Sequence, residues 1–269
     1  MRYPAVAGQF YEGDPKTLRK QIERCFFHPL GPGRLPELGS GRKIKGMVVP
    51  HAGYMYSGPV AAHAYSALAK DGLPQGFVII GPNHTGYGLD ISMTNEDFST
   101  PLGTVGIHRG ILSKLQETGV KMDPVAHRFE HSIEVQLPFL QYLHTEISMV
   151  PITMLAQDMK SAVGLGRSIA QAIEGEDVVV IASTDFSHYV PKEVAVAKDQ
   201  KAIEAILSLD VQKFYEVVRD EGVSMCGYGP VAAMLTAVHG KHATLLKYAT
   251  SGDVQPMRDV VGYGAIVIE

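Results

Sequence analysis

A chain of 269 residues, 45% of them hydrophobic, is long enough to bury a sizeable core as one large domain or two small ones. Its 24 basic and 28 acidic residues leave a formal charge of −4, and no basic block or basic stripe interleaved with aromatics occurs, so nucleic acid is excluded as an expected main partner. No apolar run approaches the ~18 residues of a membrane span, the start MRYPAVAGQFYEGDP lacks the apolar core of a secretory signal, and Cys25 and Cys226 form no CxxC pair; a reducing, cytoplasmic setting without membrane association is expected.

Asp14-Pro15 reads as an N-cap followed by proline at the first helical position, which predicts a helix to about Phe27 with Cys25 in its core face. Residues 29–43 hold three Pro and four Gly and predict a loop. From there strands and helices alternate. Strands are predicted over 46–49, 77–80, 147–154, 178–182, 243–248 and 263–268, and helices over 59–69, 158–173, 193–207, 211–219 and 230–239. The 158–173 segment is capped by Asp158 and puts Met159, Ala162, Val163, Ile169, Ala170 and Ile173 on one face. Residues 89–108, with Gly, Thr and short alternating pieces, predict an antiparallel excursion. Continuous apolar strands between amphipathic helices indicate one α/β domain, residues 1–269, with a central mixed β-sheet flanked by helices.

Three of these strands end alike. Met47-Val-Val-Pro50 runs into His51, Val78-Ile-Ile80 into Gly-Pro-Asn-His84, and Val179-Val-Ile-Ala-Ser183 into Thr-Asp185-Phe-Ser-His188. Ligands of open α/β sheets bind outside the carboxyl ends of the strands, so parallel neighbours would bring the three histidines to one crevice. Asp185 and His188, three residues apart, fit a turn or first helical turn in which the carboxylate fixes the imidazole tautomer, or one that Asp185 caps while His188 only lines the cleft. In Ser224-Met-Cys226-Gly-Tyr-Gly-Pro230 the cysteine precedes a helix start. It reads as a thiolate ligand or nucleophile with a lowered pKa, or as a small buried hydrophobe. In His127-Arg-Phe-Glu130-His131-Ser-Ile-Glu134, Ser132 is expected to cap a short helix through Val135 and Leu137, with Glu130 and His131 facing the crevice or solvent.

The stretches RYPAVAGQFY (2–11), PHAGYMYSG (50–58), GPNHTG (81–86), EHSIEVQLPFL (130–140), STDFSHY (183–189) and CGYGP (226–230) together resemble the Memo family, which is similar in fold to the class III extradiol ring-cleaving dioxygenases. Glu12 departs from the pattern, where the family often has proline. The resemblance implies that His51, His84 and Cys226 occupy metal-ligand positions and that Asp185, His188 and His131 occupy pocket positions. The dioxygenases bind Fe(II) through two histidines and a carboxylate. Cys226 stands in place of that carboxylate, which implies a transition metal ion, copper or iron, and sets ring cleavage against the oxidation of the thiolate itself. The resemblance also implies a pathway link to a radical-SAM protein. Three classes remain open: a metal-dependent redox enzyme with His188 as the proton carrier, a non-catalytic binder of a small molecule, metal or phosphopeptide, and a cysteine hydrolase with Cys226 as nucleophile and Asp185 orienting a histidine base.

Overall fold

The computed structural model describes residues 1–269. The strands are β1 (Gly46–Val49), β2 (Gly76–Pro82), β3 (Ile91–Met93), β4 (Phe98–Thr100), β5 (Gly103–Ile107), β6 (Lys121–Met122), β7 (Ser148–Met154), β8 (Val178–Ser183), β9 (His188–Pro191), β10 (Ala243–Thr250) and β11 (Asp259–Ile268). They form one mixed sheet in the order β10-β11-β1-β8-β2-β7-β3-β6, with β4, β5 and β9 attached off this path. Its centre, β1-β8-β2-β7, is parallel: Ala182 lies opposite Val48 on one side and Ile80 on the other, and Ile80 lies opposite Ile152. β11 runs antiparallel to β1 and β10, and β3 runs antiparallel to β7.

The central strands read as unbroken apolar runs because both faces are covered. Val48, Val78, Ile80, Val150, Ile152 and Val180 belong to one core, packed under the helices Met159–Ala172, Lys192–Leu207 and Tyr228–Val238. Met47, Val49, Phe77, Ile79, Val179 and Ile181 belong to the other, under the helices Pro15–Phe27, Gly58–Asp71 and Leu137–Leu143. The period of two along each strand divides the residues between the two cores. Asp14 caps the first helix through the N–H groups of Lys16 and Thr17, and Cys25 is buried beside the carbonyl of Tyr54. No helix is long and apolar enough to cross a membrane.

Three expectations are corrected. The 89–108 excursion is only partly antiparallel: β4 pairs β5 antiparallel, but β5 joins β7 in parallel, at Gly106–Ser148 and Ile107–Met149. Ser132 caps nothing, because its buried hydroxyl donates to the carbonyl of Pro82 at 3.1 Å. The chain instead enters the helix Leu137–Leu143 through a 3-10 turn at Glu134–Gln136. Residues 184–188 form no helical turn, since His188 already pairs with Val261 as the first residue of β9.

Candidate metal centre

β8 lies between β1 and β2 in the sheet, so the loops leaving three adjacent parallel strands share one edge. A cleft of about 450 Å³ opens there, lined among others by His51, His84, His131, Asp185, His188 and Cys226. The six residues that the family resemblance assigned to the site therefore meet in one place, the position where open α/β sheets hold ligands, whereas Glu130 is buried behind His84 and faces neither the cleft nor solvent.

His51 sits at the floor and is buried. Its backbone N–H donates to Asp185 Oδ1 at 2.9 Å, its Nδ1 lies 2.9 Å from Ser183 Oγ, and its Nε2 lies 3.3 Å from Cys226 Sγ. Burial, and then the neighbouring His131 and His84, hold this imidazole well below the usual range, so it is neutral. His84 is more open. Its Nδ1 lies 2.9 Å from Glu130 Oε1, and its backbone N–H donates to Glu130 Oε2. Glu130 Oε1 also accepts from the N–H groups of His131 at 2.9 Å and Ser132 at 2.8 Å. Burial alone would raise the Glu130 pKa; the bonds and charge offered by His84, His131 and Ser132 overcome it and hold the carboxyl at about 2. The His84 ring stacks on His131 at 4.6 Å and stands edge-on to His51 at 5.2 Å.

Cys226 reaches the floor because Gly227 and Gly229, in the turn after it, let the backbone pack closely against its neighbours. A Cβ on Gly227 would lie 2.6 Å from the carbonyl oxygen of Ser183, and one on Gly229 would lie 2.8 Å from the Gln157 side chain. The Gln157 amide holds the same turn, donating to the Cys226 carbonyl and accepting from Gly229 N–H, each at 2.8 Å. The Asp185 N–H points at Sγ from 3.2 Å. The expected depression of the thiol pKa is not found: enclosure, and then the Asp185 carboxylate, push it up. The reason is that its nearest imidazole is neutral, so no cation offsets desolvation.

Asp185 and His188 also differ from expectation. The Asp185 carboxylate engages the His51 peptide, and burial raises its pKa to about 6. Ser224, not Asp185, orients His188: its carbonyl lies 2.8 Å from Nδ1 and its hydroxyl accepts from the His188 backbone N–H at 2.8 Å.

The donor atoms of His51, His84 and Cys226 lie within 4.8 Å of one another. Ligands of one ion at about 2.0–2.3 Å stand roughly 3–4 Å apart, and the 3.3 Å between His51 Nε2 and Cys226 Sγ falls in that range. His84, Glu130 and His131 form a second triple of the same span. There, however, Glu130 Oε1 already accepts three N–H bonds that a cation would have to displace. The first triple is the better fit, with two imidazoles and a sulfur suited to a transition metal. Sequence reasoning did not single out Ser183 and Gln136, or assign Glu130 its partner. Their motifs were visible, but the bonds join residues 46–132 positions apart.

Residues 2–267 match a family model described as "Memo-like protein". A MEMO1 family protein of Methanothermobacter thermautotrophicus is 50% identical over 272 residues, 98% of each chain. One of Methanopyrus kandleri is 52% identical over 277 residues, 99% of this chain and 98% of its own. The crystal structure of an uncharacterized Escherichia coli K12 protein, JW3007, is similar with a TM-score of 0.58 at 14% identity, covering 84% of this chain and all of that one, which shows a shared fold.

Proposed function

The chain belongs to the Memo-like protein family, and we propose that it holds one transition-metal ion between His51, His84 and Cys226 and takes a small molecule into the cleft above it for metal-dependent redox chemistry. The observation that carries this reading is the convergence of the three donor atoms within 4.8 Å at the floor of the cleft. Two imidazoles and a thiolate are borderline-to-soft donors, which favours copper, with iron also within reach of the set. When bound, such an ion supplies a coordination position and one-electron redox capacity. The thiolate directs the proposal away from ring cleavage, since an oxidant at the ion would meet an oxidisable sulfur first.

The chain's own groups divide the remaining work. His188 has Nδ1 engaged by Ser224, so its Nε2 is the atom that exchanges a proton with a ligand. His131, stacked on His84, offers a second polar contact from the wall. Asp185 holds the His51 peptide in place. A cysteine hydrolase is disfavoured, because Asp185 orients a peptide rather than an imidazole and the thiol pKa is raised rather than lowered.

The test is metal analysis of protein purified anaerobically, followed by titration with Cu(I) and Fe(II). About one ion per chain, lost in His84→Ala and Cys226→Ser, is expected. Absence of stoichiometric binding by the unmodified protein would overturn the reading. Stoichiometric binding with no oxygen uptake or reduction of any tested small molecule would leave a non-catalytic metal-binding protein.

A further inference from the structure

The stretch Glu130-His-Ser-Ile-Glu-Val-Gln136 buries Glu130, Ser132, Glu134 and Gln136, and each commits its polar groups to a different neighbour. A neutral imidazole carries its proton on one nitrogen only, and the partner of the other nitrogen decides which. For His84 the choice is direct. An ionised carboxylate only accepts, so Glu130 Oε1 at 2.9 Å requires the proton on His84 Nδ1 and leaves Nε2 as a bare lone pair.

For His51 the choice follows from counting. Its Nδ1 faces Ser183 Oγ, a hydroxyl with one proton and two lone pairs. The proton goes to the Ser132 carbonyl at 2.7 Å, which can only accept. One lone pair is taken by Gln136 Nε2 at 2.7 Å. That amide cannot be reversed, because the same nitrogen faces the Pro50 carbonyl at 3.0 Å. The lone pair left over must receive a proton from His51 Nδ1, so His51 too has a bare Nε2, the atom 3.3 Å from Cys226 Sγ.

Glu134 anchors the stretch to the chain's start. Its carboxylate accepts from Arg2, from the N–H groups of Ala5 and Val6 at 2.7 and 3.1 Å, and from Tyr11 Oη at 2.6 Å. Arg2 in turn donates to the carbonyls of His127 and Glu130.

We propose that residues 130–136 set the tautomer of both cleft histidines in the metal-free protein: Glu130 acts on His84, and Ser132 and Gln136 act on His51 through Ser183. These are positioning residues. Their consequence for the metal reading above, on which only this part rests, is that an arriving cation meets two Nε2 lone pairs already free of protons, as hydrogen-bonded outer partners provide in metal sites generally.

The test is long-range 1H–15N correlation spectroscopy of histidine-labelled, metal-free protein at alkaline pH, where imidazoles are neutral. Both His51 and His84 are expected as the Nδ1–H form. Ser183→Ala should release His51 into a mixture of tautomers while leaving His84 unchanged, and Ser183→Thr, which restores the hydroxyl, should rescue it. Glu130→Ala should release His84 into a mixture of tautomers while leaving His51 unchanged. An Nε2–H form at either residue in the unmodified protein overturns the proposal, and this spectrum decides it even where a variant fails to fold. Cu(I) affinity of Ser183→Ala should fall by about 10–100-fold. An unchanged affinity beside a released tautomer would overturn the pre-setting of the site. Failure of the unmodified protein to bind Cu(I) or Fe(II) would strike the metal reading and leave the tautomer result standing.

Discussion

Glu130 and His84 are joined twice: one carboxylate oxygen lies 2.9 Å from the ring Nδ1, and the other accepts the backbone N–H of the same residue. The pair fixes both the direction of the ring and the course of the loop carrying it. That loop is otherwise held by Asn83, whose side-chain oxygen accepts from the N–H groups of Thr85 and Gly86 at 3.0 and 3.1 Å.

His84→Ala and His188→Ala should separate ligands from neighbours. His84 belongs to the converging donor set and His188 does not. Isothermal titration with Cu(I) should show His84→Ala weakened by more than the ~10–100-fold typical of a lost outer partner. His188→Ala should stay within about threefold, well under that range. Equal losses would make His188 a ligand.

Acid stability should fall in two windows. His127 is buried, with Nε2 bonded to the Ser92 carbonyl, and burial holds its pKa at about 4 against 6.5 for the free side chain. A depressed folded pKa means that the unfolded chain binds its proton first. The contribution is therefore complete above about 6.5 and is lost as pH falls through about 4. At 1.36 kcal/mol per pH unit this is at most roughly 3 kcal/mol. Glu130 adds a second loss, from about 4.5 down through about 2. Urea unfolding at neutral and acid pH checks the first: His127→Gln, which cannot take a charge, should lose less stability than the unmodified protein between the two.

Removing one partner of the Arg2–Glu134 ion pair should be costly. Both side chains are essentially inaccessible. Glu134→Gln leaves a buried guanidinium without its counter-charge and should cost about 3–5 kcal/mol in urea unfolding. Arg2→Met in the same chain should recover part of that. A double variant as unstable as the sum of the two singles would show that the pair is not coupled.

Alkylation should favour Cys226 over Cys25, and slowly. Cys226 lines the cleft, whereas Cys25 is buried and its pKa is pushed up to about 12 by desolvation. Because enclosure raises the Cys226 thiol as well, its rate with iodoacetamide near neutral pH should fall below that of a free thiol. Peptide mapping gives the order. Faster labelling of Cys25 would contradict the burial of the two sulfurs.

The sequence by itself determined the parallel centre of the sheet and the residues at its carboxyl edge. Strands covered on both faces must be apolar throughout, so β1, β2, β7 and β8 were visible as runs, and β1 and β2 end in loops bearing His51 and His84 while the loop after β8 leads into His188. The neighbours of those histidines were decided only by the tertiary structure. His188 is held by Ser224 rather than Asp185, Ser132 serves Pro82 and Ser183 rather than a helix end, and Cys226 has its thiol pKa raised instead of lowered. Periodicity records which face of an element is buried, because that choice repeats along the chain. A hydrogen bond between Glu130 and His84, or between His51 and Ser183, repeats nowhere; it exists because strand order places two loops side by side, and that order is fixed by the packing of the whole sheet.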